Sequence, residues 1–259
     1  VWRYLAESVL GTSHERSNTS CQDSHKITNY TVAGKDYLIL ACSDGAGSAS
    51  HSDLGSSLAC EVAIAEVCRF LDTEAALATV DQSMATQWLE DIRGRMMAEA
   101  ELHAVDLRQL AATLLLAVAG DSRSIFIQIG DGAIVTFEAG AEGDVMELVF
   151  WPQNGEYANT TNFLTDPKFA ELVMFAQKEK CPDGIAAFTD GVQLLALDYV
   201  TKAPHSPFFD PFFKQLRETS EPENLIVPFR QLLNSKPVND RTDDDKTLVI
   251  AVREIERAD

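Results

Sequence analysis

Hydrophobic positions along this chain change period several times, and each change marks an element. Residues 1–10 alternate roughly, through Trp2, Tyr4, Ala6 and Ser8, which predicts a first strand. Residues 11–23 are polar and read as a loop. Segments 27–33 and 37–42 flank Gly34-Lys35-Asp36, the pattern of a hairpin that sets Asp23 and Asp44 at the ends of neighbouring strands. The run Tyr37-Leu38-Ile39-Leu40-Ala41-Cys42 has no polar interruption, as a strand buried on both faces requires. Helical spacing follows over about 53–71 (Leu58, Val62, Ile64, Ala65, Cys68, Leu71) and about 81–110 (Trp88, Ile92, Met96, Met97, Leu102). Trp88 and both methionines are expected in the core, and the two helices are expected as an antiparallel pair on a sheet. Strand-like runs return at 112–119, 125–129 and 133–137, separated by Gly120-Asp121-Ser122-Arg123 and Gly130-Asp131-Gly132. Further strands are predicted at 145–151, 161–164, 184–189 and 246–252, a short helix in 166–178, and two modest helices in 208–234. Many strands with two helical blocks, and no regular strand–helix alternation, predict an α+β fold forming one domain over 1–259.

Composition narrows the function. With 46% hydrophobic residues the chain can bury a sizeable core, while 21 basic against 40 acidic side chains leave a formal charge of −19. Such a surface repels nucleic acid and anionic membrane, so neither is an expected partner, and it makes divalent cations natural company. The five cysteines (Cys21, Cys42, Cys60, Cys68, Cys181) are odd in number and show no CxxC spacing, which speaks against a zinc site or a disulfide framework. No apolar run reaches the length of a membrane span, and Val1-Trp2-Arg3-Tyr4 lacks the pattern of a secretory leader. A cytoplasmic monomer is the expectation.

The acids change the picture further. Three apolar strands run into an acid–glycine step, at Asp44-Gly45, Asp131-Gly132 and Asp190-Gly191, and Asp243-Asp244-Asp245 directly precedes the last strand. Strand ends of a sandwich can converge on one rim. Two carboxylates about 5 Å apart repel by about 3 kcal/mol at an effective dielectric near 20, and several such pairs exceed what a marginally stable fold can spare. Two divalent ions would neutralise four aspartates, and all-oxygen ligation favours Mg²⁺ or Mn²⁺. Gly45 and Gly47 leave room for close approach to Asp44.

These residues carry a resemblance. Gln22-Asp23, Ser43-Asp44-Gly45-Ala46-Gly47, Phe188-Thr189-Asp190-Gly191 and Asp244-Asp245-Lys246-Thr247 occur in the order and spacing of the metal-dependent type-2C (PPM-type) protein phosphatases. The chain resembles the compact bacterial branch of that family over about residues 10–252. The resemblance implies a four-layer αββα sandwich, two antiparallel sheets flanked by helix pairs. It also implies hydrolysis of phosphoserine and phosphothreonine in phosphorylated protein substrates, using two Mn²⁺ or Mg²⁺ ions. Carried over by position, Asp44 would bridge both ions and the Gly45 carbonyl would bind one. Asp190 and Asp244 would complete the first, and Asp23 would serve the second. Catalysis would depend on Asp44 and Asp190, with a metal-bridging water attacking phosphorus directly.

A possible third metal role is assigned to Asp131 and not to Asp121, because the functional acid of the family follows the second strand of that hairpin. The chain also departs from the family. Asn18 stands near the usual phosphate-gripping Arg, which leaves Arg16 and His14 as candidate substrate-binding residues. Gln22 replaces a glutamate found in some members, and Ala46 replaces a candidate general acid, for which His14 or His51 could substitute, a solvated structural histidine being the simpler reading of each. Cys21, beside Asp23, is a candidate redox handle with an inert role as the simpler reading. Segment 156–180 lies where the family carries a flap over the site. Two other readings follow: a non-catalytic module of this fold that binds a phosphoprotein or partner, and a structural Ca²⁺ site in an unrelated sandwich.

Overall fold

Unbroken apolar runs become central strands and mixed runs become edges. The computed structural model describes residues 1–140, 144–153 and 161–254. In chain order the elements are β1 (Trp2–Val9), α1 (Thr12–Ser17), β2 (Ser24–Val32), β3 (Lys35–Ser43), α2 (Ser52–Asp72), α3 (Gln82–Leu102), β4 (Leu114–Ala119), β5 (Ser124–Ile129), β6 (Ala133–Glu138) and β7 (Val145–Leu148). There follow α4 (Phe169–Leu172), β8 (Met174–Lys178), β9 (Gly184–Phe188), α5 (Asp190–Ala196), the small pair β10 (Leu197–Asp198) and β11 (Ala203–Pro204), α6 (Ser206–Glu218), α7 (Ile226–Leu233), α8 (Lys236–Asn239) and β12 (Lys246–Arg253). Two five-stranded sheets form, ordered β1-β12-β9-β6-β7 and β2-β3-β4-β5-β8. Every pairing in them is antiparallel.

Side-chain alternation separates three apolar layers. Leu38, Leu40 and Cys42 of β3 face Ile185, Ala187, Val249 and Ala251 across the space between the sheets. Their neighbours Ile39 and Ala41 face outward, against Leu58, Ala63 and Val67 of α2 and Trp88, Leu89 and Ile92 of α3. On the other sheet Phe137, Phe188, Leu248 and Ile250 pack against Phe209, Phe213 and Leu216 of α6 and Phe229 of α7. Helices thus cover both outer faces, which gives the expected αββα order and explains why the central strands carry no polar alternation.

Five local expectations are corrected. The polar 11–23 segment contains α1, which buries no residue and therefore shows no apolar period; it ends where Asn18 turns left-handed at φ 55°. The second long helix stops at Leu102 and not near 110, because Ala104 is left-handed (φ 55°) and only the turn Leu107–Leu110 follows. Met96 is buried there, but Met97 is 48% exposed. Residues 161–164 form no strand; the Leu164 amide donates to the Ala112 carbonyl instead. Within 166–178 only Phe169–Leu172 is helical, and Met174–Lys178 pairs along the free edge of β5. The apolar spacing there arises because Phe169 and Val173 pack under α2 and α3. Residues 156–160 of the flap-like segment lie outside the described residues.

Candidate metal centre

The registers bring one set of strand ends together. Ser24 pairs with Ser43, Leu114 with Ile129, Val9 with Lys246 and Leu248 with Phe188, so residues 23, 44, 131, 190 and 244 all leave strands at the same rim. Asp44 is fixed through its own backbone: its N–H donates to Thr113 Oγ1 (2.9 Å) and its carbonyl accepts from the Thr113 N–H (2.8 Å). Gly45 follows because three backbone segments meet there. A Cβ would lie 2.5 Å from the Ser52 carbonyl oxygen and 2.7 Å from that of Gln22. Gly191 has even less space, with a Cβ position 1.9 Å from the Asp245 carbonyl oxygen. That contact presses the first turn of α5, and with it Asp190, onto the loop that carries Asp244.

The other acids are held by side chains. Asp23 is 7% exposed, and its Oδ2 accepts from Thr189 Oγ1 (2.7 Å). Asp131 Oδ2 accepts from Thr161 Oγ1 (2.5 Å), and its backbone carbonyl accepts from Gln193 Nε2. The second oxygen of that carboxylate, Oδ1, is buried with no partner. Asp244 is exposed and accepts the Asp245 N–H (2.8 Å).

These carboxylates feel one another across the rim. Burial, chiefly, pushes Asp23 up to about 7 and Asp190 up to about 8. Asp190 is raised further by Asp131, Asp244 and Asp23, and Asp23 by Asp245 and Asp244; hydrogen bonds from Thr189 and Thr247 pull Asp23 back down. Asp44 is raised well above the usual carboxylate range by burial and by Asp23, Asp190, Asp131 and Asp244. Burial raises Asp131 as well, opposed by the Thr161 hydrogen bond. As the carboxylates stand, no three His, Cys, Asp or Glu side chains among the described residues are grouped tightly enough to hold an ion. Divalent cations would supply the opposite charge that so many neighbouring carboxylates require. The residues fit such a group: hard oxygen donors, Asp23 buried and Asp44, Asp131 and Asp190 half-buried, with threonine hydroxyls on Asp23 and Asp131 and one orphaned oxygen on Asp131.

The predicted substrate-binding residues lie on α1, beside this rim. Arg16 donates to Asp243 Oδ2 (3.0 Å) and to the Thr12 carbonyl. His14 Nδ1 stands 2.9 Å from Asp245 Oδ2, without in-line hydrogen-bond geometry. Asp121 is elsewhere: it sits in the turn closed by the Gly120 N–H and the Arg123 carbonyl, at the opposite end of the β4–β5 hairpin. His51 precedes α2, bonded to Ser50 Oγ, with its ring 5.3 Å from that of His103. Burial, then Asp245 and Asp23, push the Cys21 thiol up, which favours the protonated thiol.

Sequence reasoning gave no role to Asp245, Thr189 or Thr247. Asp245 is 2% exposed and accepts the N–H groups of Gly11 and Gln22 (2.6 Å each), so it ties α1 and the Asp23 segment to the last strand. The threonines flanking the Asp190 and Asp244-Asp245-Lys246 motifs were the available signal, since each is the polar end of an otherwise apolar strand.

Comparison with known proteins agrees with this architecture. Residues 10–228 match the family described as Protein phosphatase 2C. Serine/threonine-protein phosphatase 3 of Escherichia coli (strain K12) is 34% identical over 254 residues, covering 97% of this chain and 98% of that protein. Among solved structures, the catalytic domain of serine threonine protein phosphatase PstP in complex with 2 manganese ions superposes with a TM-score of 0.61 at 16% identity, covering 98% of this chain and 99% of that one. PppA of Pseudomonas aeruginosa gives 0.60 at 18%, covering 98% of each chain. At such identities the structures show a shared fold. Family match and full-length relative together establish that the chain belongs to the protein phosphatase 2C family and is a protein phosphatase.

Proposed function

We propose that this enzyme hydrolyses phosphoserine and phosphothreonine in proteins at a binuclear Mn²⁺ or Mg²⁺ centre, with the whole of 1–259 as one catalytic unit. The carrying observation is the convergence of Asp23, Asp44, Asp131, Asp190 and Asp244 on one rim, the first four raised by burial and then by neighbouring acids. A 34%-identical serine/threonine phosphatase and a manganese-containing structure of the same fold support the reading. Asp44, the Gly45 carbonyl, Asp190 and Asp244 would hold one cation, Asp44 and Asp23 the second, and Asp131 a third. Bound there, such cations lower the pKa of water and neutralise charge on phosphoryl oxygens. Asp44 is central because its carboxylate feels all four of the others. Thr189 and Thr161 hold Asp23 and Asp131 in place, and the contact of Gly191 with Asp245 fixes the distance between the Asp190 and Asp244 segments. Arg16 and His14 are the basic side chains of α1 that would meet the substrate phosphate, Arg16 by exchanging Asp243 for it.

The test is phosphate release from phosphothreonine and phosphoserine peptides after EDTA treatment, with and without added Mn²⁺. Multiple turnover restored by Mn²⁺ is expected. Stoichiometric phosphopeptide binding without release, under saturating Mn²⁺, would establish the non-catalytic module instead.

A further inference from the structure

Large apolar side chains scattered singly over a surface need no explanation, but a group of them beside a functional centre does. Among the exposed large apolar side chains of the described residues, Leu194, Tyr199 and Val200 stand together in sequence, close after Asp190. Leu194 is 60% exposed and lies one turn beyond Asp190 on α5, so the two share a face of the helix and the leucine leans back toward the acid. Its neighbour Gln193 donates from Nε2 to the Asp131 carbonyl, and Gln193 Oε1 accepts from the Tyr199 hydroxyl (2.7 Å). Tyr199 is therefore one side chain away from the Asp131 backbone. Its ring meets that of Trp151 edge-on, with centroids 5.4 Å apart. The segment carrying Trp151 is tied to the same rim by Gln153, whose Oε1 accepts the Gly130 N–H (2.7 Å).

The hairpin that carries Tyr199 holds this position firmly. β10 and β11 pair Leu197 with Pro204 and Asp198 with Ala203. Across the turn, Asp198 Oδ1 accepts the N–H groups of Val200 (2.8 Å) and Thr201 (3.2 Å), and Lys202 closes it left-handed at φ 53°. Ala196 and Leu197 are buried, so the stem is fixed to the core while the tip offers Tyr199 and the 94%-exposed Val200 to solvent. What must cross this rim sets the occupant. A protein phosphatase takes a polypeptide, whose chain runs away from the phosphoryl group in two directions. Helix α1, polar throughout, borders the rim at Asp243 and Asp245, whereas the apolar patch borders it at Asp131 and Asp190. An extended chain advances about 3.3 Å per residue, so side chains within about three positions of the phosphorylated one reach that patch.

We propose that Leu194 and Tyr199, with Val200 at their edge, form a subsite for an apolar side chain of the phosphoprotein, close in sequence to the phosphorylated residue. The inference rests on the metal-centre reading above. Its test compares Mn²⁺-dependent phosphate release from two phosphothreonine peptides, one with leucines and one with serines at the flanking positions on both sides. Wild type is expected to favour the leucine peptide about tenfold in kcat/KM, mainly through KM, the scale of burying one apolar side chain. Leu194→Ser and Tyr199→Ala are each expected to cut that preference to about threefold or less, and Tyr199→Phe, which keeps the ring, to retain it. The preference is a ratio within each protein, so general damage lowers both peptides alike and leaves it unmoved. Wild-type preference persisting in both Leu194→Ser and Tyr199→Ala overturns the proposal. A preference lost in Tyr199→Phe assigns it to the Gln193 link and overturns the apolar subsite. Self-association in sedimentation velocity that these substitutions abolish would make the patch a contact between copies, which also overturns it. If wild type releases phosphate from neither peptide, the metal-centre reading falls and this inference with it, whereas equal release from both overturns this inference only.

Discussion

Two turns of nearly the same composition bracket β5, and they behave as different chemistry. Gly120-Asp121-Ser122-Arg123 enters the strand; Gly130-Asp131-Gly132 leaves it. The first is a hairpin turn on the surface, where Arg123 pairs with Glu179 and Asp121 is exposed. The second carries the chain from one sheet to the other, where the ends of β3, β9 and β12 already hold acids. Asp131 is consequently desolvated, raised, and left with an unpartnered oxygen. An aspartate becomes a candidate ligand through which end of the sandwich it occupies, and letters alone do not report that.

The largest effect should separate the two ends outright. Asp190→Asn or Asp44→Ala removes a carboxylate that feels the whole cluster, and is expected to lower Mn²⁺-dependent turnover by about a thousandfold or more, the scale of losing several kcal/mol of charge stabilisation. Circular dichroism should show an intact fold, since substitution also relieves repulsion. Near-wild-type turnover in either variant would show that the rim is not the active centre.

Glycines at the two ends sharpen the same contrast. In Gly191→Ala the new methyl would lie 1.9 Å from a backbone carbonyl, so α5 and the Asp244 loop must part, at about 3 kcal/mol. In Gly120→Ala the nearest atom is Tyr37 Cε1 at 2.9 Å, the ring of a side chain able to shift, and the cost is about 1 kcal/mol or less. Urea midpoints of the two variants measure the difference, and equal losses would remove the special status of the rim.

Proton linkage gives a smaller but directional effect. Without metal, Asp23 and Asp190 titrate near about 7 and about 8 in the folded state, far above the ordinary carboxylate value. Between that ordinary value and 8 the folded protein therefore holds protons that the unfolded chain releases, so stability falls as pH rises through this window. The Tm of EDTA-treated protein is expected to climb by several degrees from about pH 8.5 to about pH 6. Asp190→Asn should flatten the slope, and added Mn²⁺ should do the same by replacing protons as counter-charge. A Tm that drops on acidification over this range would contradict the raised carboxylates.

The same contrast explains what the sequence conveyed. Central strands were legible because burial on both faces leaves runs such as 37–42 without polar interruption, and three rim acids, Asp44, Asp131 and Asp190, because each ends such a run beside a glycine. Helix α1 was not, since it buries nothing and so has no apolar period. Strand β8 was read as helix because Phe169 and Val173 supply a helical spacing across a segment whose later residues simply fill a free sheet edge. The Ser8–Thr247 contact joins residues 239 positions apart through strand register, and no local pattern encodes a register. Asp131 over Asp121 was decidable only by counting strands from a resemblance, not from the tetrapeptides.

The smallest effect is the one most specific to that choice. Asp121 is an exposed turn residue whose nearest electrostatic consequences fall on Tyr37 and Cys181, at the end of the sandwich away from the acids. Asp121→Asn is therefore expected to change stability by less than about 0.5 kcal/mol and turnover by less than about twofold, as for surface substitutions outside any special contact. Asp131→Asn removes a buried charge beside Asp190 and Asp244, so it should lower the pKa of Asp190 and change the Mn²⁺ concentration needed for half-maximal turnover. Measuring that metal dependence in both variants reads the comparison directly. A shift in Asp131→Asn with none in Asp121→Asn places the ligand on the rim, and the reverse pattern would move it to the hairpin turn, where no other acid of the cluster stands to share a cation.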